Sequence, residues 1–372
     1  MENGNEDGHE DENEKEKENE NEKENENEKE KEKEKENDDE DEDEDDDDKR
    51  LDAVARDERE AELPSQCRED GGVSVQSSMS ELSAAEVQRW RAMFISLSLG
   101  HSNRSCKETS IVGLELKVFG LQEIKDSTLP IAVLIVGHGR LTDERSMQPF
   151  CQGILGEVDG LASTGSRKRD LLVITFDHRN HGKLNKNPVW NLAFEQNPNH
   201  LVDLAATIVG GTEDVSLIID FLAAYLFPSG ERKIEEFMVT GMSLGEPRVQ
   251  IGIPMIALPF PSLVKNIGAR AIQGGLAFAP PIYPPSLRSL LEADTDFNAL
   301  AGKKILSMHG AVDPLVPYAD GQKDIEDVKR VMQNGDVEVW VEEGQGHVLT
   351  PVMVKKTAEW IWRWGLSDKT RE

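Results

Sequence analysis

Residues 234–245 read IEEFMVTGMSLG, a short apolar run that passes directly into Gly241-Met242-Ser243-Leu244-Gly245. A hydroxyl on a sharp strand-to-helix turn stands clear of its neighbours, and a glycine on either side gives the backbone room to bend. Ser243 is therefore the candidate nucleophile. G-x-S-x-G is a short pattern that carries little by itself. Its context gives it weight: a β-type run precedes it, Asp313 follows a later apolar run, and His347 sits later still in a glycine-flanked loop.

On the N-terminal side, residues 130–136 (PIAVLIV) and 170–176 (DLLVITF) are continuous apolar runs. Such runs suit strands buried on both faces of a parallel sheet. The first ends in Gly137-His138-Gly139-Arg140 and the second in Asp177-His178-Arg179-Asn180-His181-Gly182, with helical potential over 146–161 between them. Residues 183–199 have the Pro and Asn content of a loop, and 213–227 read as a helix capped by Thr212 and stopped before Pro228. Residues 111–119 alternate apolar and polar side chains, which predicts a half-exposed antiparallel edge strand. Residues 80–99 predict an amphipathic helix with Ser83 as its cap.

On the C-terminal side, residues 251–258 predict another buried strand, and 304–309 and 337–341 the last two. The chain closes with a helix over 351–364 that carries Trp360, Ile361 and Trp364 on one face. The proline-rich, apolar residues of about 257–300 suit a small cap over an apolar pocket better than a sheet. Repeated strand–helix–strand alternation predicts an α/β fold, a mostly parallel central sheet with right-handed crossovers and helices on both faces.

The formal net charge of −30 is unevenly distributed. The first fifty of the 372 residues hold 29 acidic and 9 basic side chains and, after Met1, no aliphatic one. Such a segment cannot bury enough apolar surface to offset its ordering entropy, so residues 1–79 are expected to be a disordered acidic tail and linker. Residues 80–372 then form one domain. The rest of the chain, with 43 acidic and 33 basic residues, lacks the basic excess that nucleic acid or anionic lipid would require. The acidic run is a solvating tail in its plainest reading and a contact for basic partners in the other. No apolar run reaches the ~20 residues of a membrane span, and the N-terminus is the opposite of a signal peptide. Cys67, Cys106 and Cys151 form no close-spaced pair, which points to a reducing, cytoplasmic compartment.

A serine hydroxyl needs a base within hydrogen-bond reach and a group to orient that base. His347, in Gly344-Gln345-Gly346-His347, is the candidate base, and Asp313, in His309-Gly310-Ala311-Val312-Asp313-Pro314, the orienting acid; Asp320 and Asp324 fall inside a predicted helix. Backbone N–H donors for a developing oxyanion are expected at Leu244 and Arg140. His138 reads as a structural turn residue. His178 and His181 lack a recognisable zinc spacing and suit a hydrogen-bonded turn, leaving a metal-dependent hydrolase as a minor alternative. No phosphate-binding or dinucleotide loop occurs, so no cofactor is expected.

From about residue 114 to 364 the chain resembles the α/β-hydrolases, in particular unassigned fungal members whose strand ends read HG, D-x-R-N-H-G, G-x-S-L-G, HG-x-x-D and G-x-GH. The resemblance implies the triad Ser243, Asp313 and His347, an oxyanion element after Val136, and cofactor-free cleavage of an ester, thioester or amide in a small-molecule acyl substrate. One departure stands out. Only seven residues, 244–250, separate Ser243 from the predicted strand at 251, and Pro247 is among them. The family's helix of several turns does not fit there. Either a distorted elbow or displacement of residues 246–260 from the sheet is expected. The competing function is a catalytically impaired scaffold that acts as a binding protein.

Overall fold

The computed structural model describes residues 96–163, 165–241, 249–292, 297–332 and 336–367. The chain divides into two units, 1–68 and 69–372, and every described residue belongs to the second. Its strands are β1 (Cys106–Ile111), β2 (Leu114–Phe119), β3 (Ile131–Gly137), β4 (Asp170–Phe176), β5 (Ile234–Gly241), β6 (Ile251–Pro254), β7 (Lys304–Gly310) and β8 (Val337–Glu342). They form one sheet in the order β1-β2-β4-β3-β5-β6-β7-β8. From β4 to β8 all neighbours are parallel, while β1 and β2 join antiparallel at one edge. The described α-helices are α1 (Gln148–Ala162), α2 (His200–Leu226), α3 (Phe260–Gln273), α4 (Pro285–Leu291), α5 (Tyr318–Val331) and α6 (Pro351–Ile361).

β3 shows why a continuous apolar run belongs at the centre of such a sheet. All seven of its residues are buried. Because side chains alternate along a strand, Ala132, Leu134 and Val136 pack with Phe150, Ile154 and Val158 of α1 and with Met353 and Ile361 of α6. Ile131, Val133 and Ile135 pack on the other face with Val215, Ile218 and Leu222 of α2. Burial of each large aliphatic side chain contributes about 1.5–3 kcal/mol, so this two-sided packing dominates the stability of the layer.

The structure corrects several sequence expectations. Residues 111–119 are not one edge strand. The chain turns at Val112 and Gly113, both with positive φ, 47° and 81°, and β2 lies inside the sheet between β1 and β4. Positive φ at two central residues gives a two-residue hairpin turn, which the unbroken alternation of the sequence concealed. The helix predicted over 213–227 begins at His200, and Thr212 is an interior residue whose hydroxyl donates to the Ile208 carbonyl at 3.1 Å. Gly210 and Gly211 each cost about 1 kcal/mol in a helix. Burial of Leu201 and Ala205 against α3, and of Val215 to Leu226 against the sheet, outweighs that cost.

The strand expected over 251–258 is shorter, Ile251–Pro254, and it keeps its place, with Met238↔Ile251 through Gly241↔Pro254 in parallel register. The predicted displacement of residues 246–260 is therefore wrong for this strand. Only four residue pairs have to be retraced, about 10 Å at a strand's rise, which nine residues reach without a helix of several turns. The elbow itself, residues 242–248, lies outside the described residues, as does nearly all of the helix expected over 80–99. The last helix ends at Ile361 and continues as a π-helical turn, Trp362–Leu366. The described residues of 257–300 include α3, α4 and a short 3-10 turn, Phe297–Leu300. Leu263, Val264, Ile267 and Tyr283 of this segment join Leu201 and Ala205 of α2 in an apolar cluster separate from those on the two sheet faces. Among the described residues no helix is long and apolar enough to cross a membrane.

Candidate active site

Parallel strands deliver the loops that follow them to one rim of the sheet. The exits of β3, β4, β7 and β8 carry Arg140, His178 and His181, Asp313 and His347. Two of those loops are in direct backbone contact. The Ala311 amide donates to Glu342 O at 2.9 Å and the Val312 amide to Gln345 O at 3.0 Å. Gly310 permits that approach, since a Cβ there would fall 2.3 Å from Gly346 O. The loop after β8 is also tied across its two ends, because the Thr350 hydroxyl caps α6 by accepting from the Met353 amide and donates to Glu342 Oε2 at 2.7 Å.

This scaffold brings together Asp313 and His347, which are 34 residues apart in sequence: His347 Nδ1 lies 2.8 Å from Asp313 Oδ2. The other carboxylate oxygen, Oδ1, accepts from the amides of Leu315 and Val316 at 2.8 and 3.0 Å. Asp313 is thus both the cap of its turn and the partner of the imidazole. Its side chain is 1% exposed and that of His347 26%. With Nδ1–H donating to the carboxylate, the Nε2 lone pair is left on the far side of the ring, available to take a proton. Asp320 and Asp324 lie in α5 and accept from Asn266 and Ser262 of α3 instead.

β5, which leads to Ser243, ends at Gly241, paired with Gly137 of β3. The two backbones are so close that a Cβ on Gly241 would lie 2.7 Å from Gly137 O. Ser243 and Leu244 lie outside the described residues. Next to Gly137, His138 is buried; its Nδ1 donates to Gly139 O at 2.8 Å and its Nε2 accepts from the His178 amide at 2.9 Å. Burial and the neighbouring His178 and His181 hold its pKa well below the usual histidine value. It is a neutral, fully engaged turn residue. Asp177 organises the D-x-R-N-H-G turn by accepting from the amides of Glu144 and Lys183, both at 2.9 Å. The rings of His138, His178 and His181 pack together at centroid distances of 4.4 to 6.4 Å. Among the described residues no group of three or more His, Cys, Asp or Glu side chains is arranged to hold a metal.

Arg140 is the residue whose side chain the sequence did not explain. It lines a cleft together with His178, His181, Trp190, Asn191 and His200. Its Nη1 donates to His200 Nδ1 at 3.1 Å. Burial and the nearby Arg270 depress the pKa of Arg140 to about 10, and burial with both arginines depresses that of His200 to about 3. His200 was missed because residues 183–199 read as loop and the helix was begun thirteen residues late. The spacing of His200, Leu204 and Ile208, one helical face toward the cleft, was the available signal.

Among solved structures, the chain is similar to the Thermus thermophilus protein TT1662, with a TM-score of 0.52 and 20% identity over 71% of this chain and 98% of that one. The chain has the α/β-hydrolase fold. Further structures are similar over most of the chain. A Pyrococcus horikoshii acylaminoacyl peptidase is 12% identical, with a TM-score of 0.45, over 73% of this chain and 43% of the peptidase. The Pyrococcus furiosus esterase Pf2001 is 20% identical, with a TM-score of 0.40, over 70% of this chain and 93% of the esterase. No family model matches the sequence, and no curated protein matches it.

Proposed function

We propose that the protein is a cofactor-independent serine hydrolase that cleaves an ester, thioester or amide bond in a small acyl substrate. The observation that carries this reading is the 2.8 Å contact between His347 Nδ1 and Asp313 Oδ2, at the rim where the strand preceding Ser243 ends. In this reading the Ser243 hydroxyl attacks the acyl carbon while His347 Nε2 takes its proton. Asp313 holds the imidazole in the matching tautomer and stabilises the imidazolium. The Leu244 and Arg140 amides accommodate the oxyanion. His347 returns the proton to the leaving group, and water, deprotonated by the same imidazole, releases the acyl group. The helices of residues 257–300 are the cap, and the protein works in the cytoplasm.

A second reading, an α/β-hydrolase scaffold that binds rather than cleaves, is favoured by the nine residues that join β5 to β6, too few for a helix of several turns. Hydrolysis of 4-nitrophenyl acetate separates the two. The hydrolase reading expects a burst of 4-nitrophenol, stoichiometric with protein, that Ser243→Ala abolishes. Folded protein without a burst or steady turnover supports the scaffold.

A further inference from the structure

The cleft beside Arg140 contains an unusual charge arrangement. Arg270 is close enough to lower the pKa of Arg140, and both arginines act on His200. Among the described residues, neither guanidinium has a carboxylate within ion-pair distance. The acidic group felt by Arg140 is Glu195, which is exposed. The one polar side chain on the Arg140 guanidinium, His200, meets it with a neutral imidazole lone pair. A guanidinium carries five donors in a flat fork matched to a carboxylate, and a partly desolvated one without a counter-charge is costly. Two further donors or acceptors point the same way. His178 Nδ1 and His181 Nε2 belong to side chains more than nine-tenths buried, line the same cleft, and have no hydrogen-bond partner.

We infer that this cleft is an acyl subsite for a carboxylate, held by the Arg140 fork with Arg270 adding positive charge nearby, so that the preferred substrates are esters of short dicarboxylic acids. The inference rests on the hydrolase reading, since the backbone of Arg140 is there an oxyanion donor. The guanidinium then lies one arginine side chain away from the reacting carbonyl, which sets a short spacer between the two ends of the acyl group. Leu204, Ile208 and Trp190 provide apolar wall for that spacer. Charge balance selects a carboxylate over a phosphate dianion. The exposed Glu195 carboxylate, outside ion-pair distance, offsets part of the positive charge felt at Arg140, so a monoanion suits the cleft better than a dianion.

The test compares monoethyl glutarate with ethyl valerate on the full chain, by proton release, together with the thermal shift produced by glutarate at constant ionic strength. Charge-assisted bonds of this kind are expected to give the glutarate ester a kcat/KM about tenfold or more above that of the valerate ester. Arg140→Gln brings the ratio to about one and Arg140→Lys keeps part of it, because a point charge replaces the fork. The ratio cancels any effect of the substitution on the oxyanion. Should Arg140→Gln not fold, Arg270→Gln carries the test with a smaller fall. Turnover of ethyl valerate without preference for the glutarate ester overturns the subsite and leaves the hydrolase intact. No turnover of either ester, with glutarate stabilising the wild type but not the Arg140 variant, rejects the hydrolase and keeps the carboxylate site. Neither turnover nor stabilisation overturns both.

Discussion

His347 and Asp313 divide their work by exposure, one ring edge open at the rim and one carboxylate sealed beneath it. Asp313→Asn separates the two tasks of that carboxylate. The amide oxygen still accepts from Leu315 and Val316, so the turn and the melting temperature should change little, while loss of the charge and of the imidazole tautomer should lower kcat by about 10³- to 10⁴-fold. Assay of kcat beside a thermal melt checks both halves. A second residue-level prediction concerns His309, buried at the end of β7 with Nε2 on Ser307 Oγ at 2.8 Å. Burial depresses its pKa from 6.5 to about 4. The unfolded chain therefore binds a proton that the folded one does not in the window between those values. The stability that the neutral ring contributes is complete above about pH 6.5 and is lost as the pH falls toward 4. Urea unfolding between pH 6.5 and 4.5 should show a slope shallower in His309→Asn than in the wild type, by about 1.4 kcal/mol per pH unit at most. Comparison with the wild type cancels the opposing contributions of Asp143 and Glu144, whose pKa values burial raises.

At the scale of elements, one side chain ties three segments together at the end of the sheet away from the site. Arg232 donates to Ile124 O, Leu129 O and Asp170 Oδ2, each at 2.7 Å, just before β5 and against the start of β4. Arg232→Met leaves the buried Asp170 carboxylate without that partner and should cost about 3–5 kcal/mol, read by chemical denaturation, with KM unchanged because the site lies at the opposite strand ends. Elements with a single physical signature were legible in the sequence. β3 and β4 announce themselves as unbroken aliphatic runs because both of their faces are covered. The N-terminal half of α2 was not legible, since two glycines argue locally against a helix that distant burial of Leu201 and Ala205 supports. The hairpin turn at Val112 was hidden for a related reason: a β-branched residue that is 84% exposed, with positive φ, breaks a local rule for the sake of the pairing around it. The position of β6 was misjudged because the length of a crossover depends on how many residue pairs it retraces, a quantity the sequence does not contain.

For the whole molecule, six parallel strands bring the loops after residues 137, 176, 310 and 342 to one rim, so side chains distant along the chain gather there without any local signal of proximity. Order along the chain sufficed to anticipate that Asp313 and His347 emerge at the same rim, where they are in contact, because α/β alternation fixes the rim on which each loop emerges. The Arg140–His200 cleft was not readable in this way, as it depends on which face of α2 meets the loop after β3. The central claim is that these strand ends assemble an activated serine, and covalent capture tests it most directly. Full-length protein treated with a fluorophosphonate and digested for mass spectrometry should carry one phosphonyl group, on Ser243, with labelling slowed strongly by Asp313→Asn. Folded protein that remains unmodified, or that is modified elsewhere at the same rate in Ser243→Ala, would contradict the account.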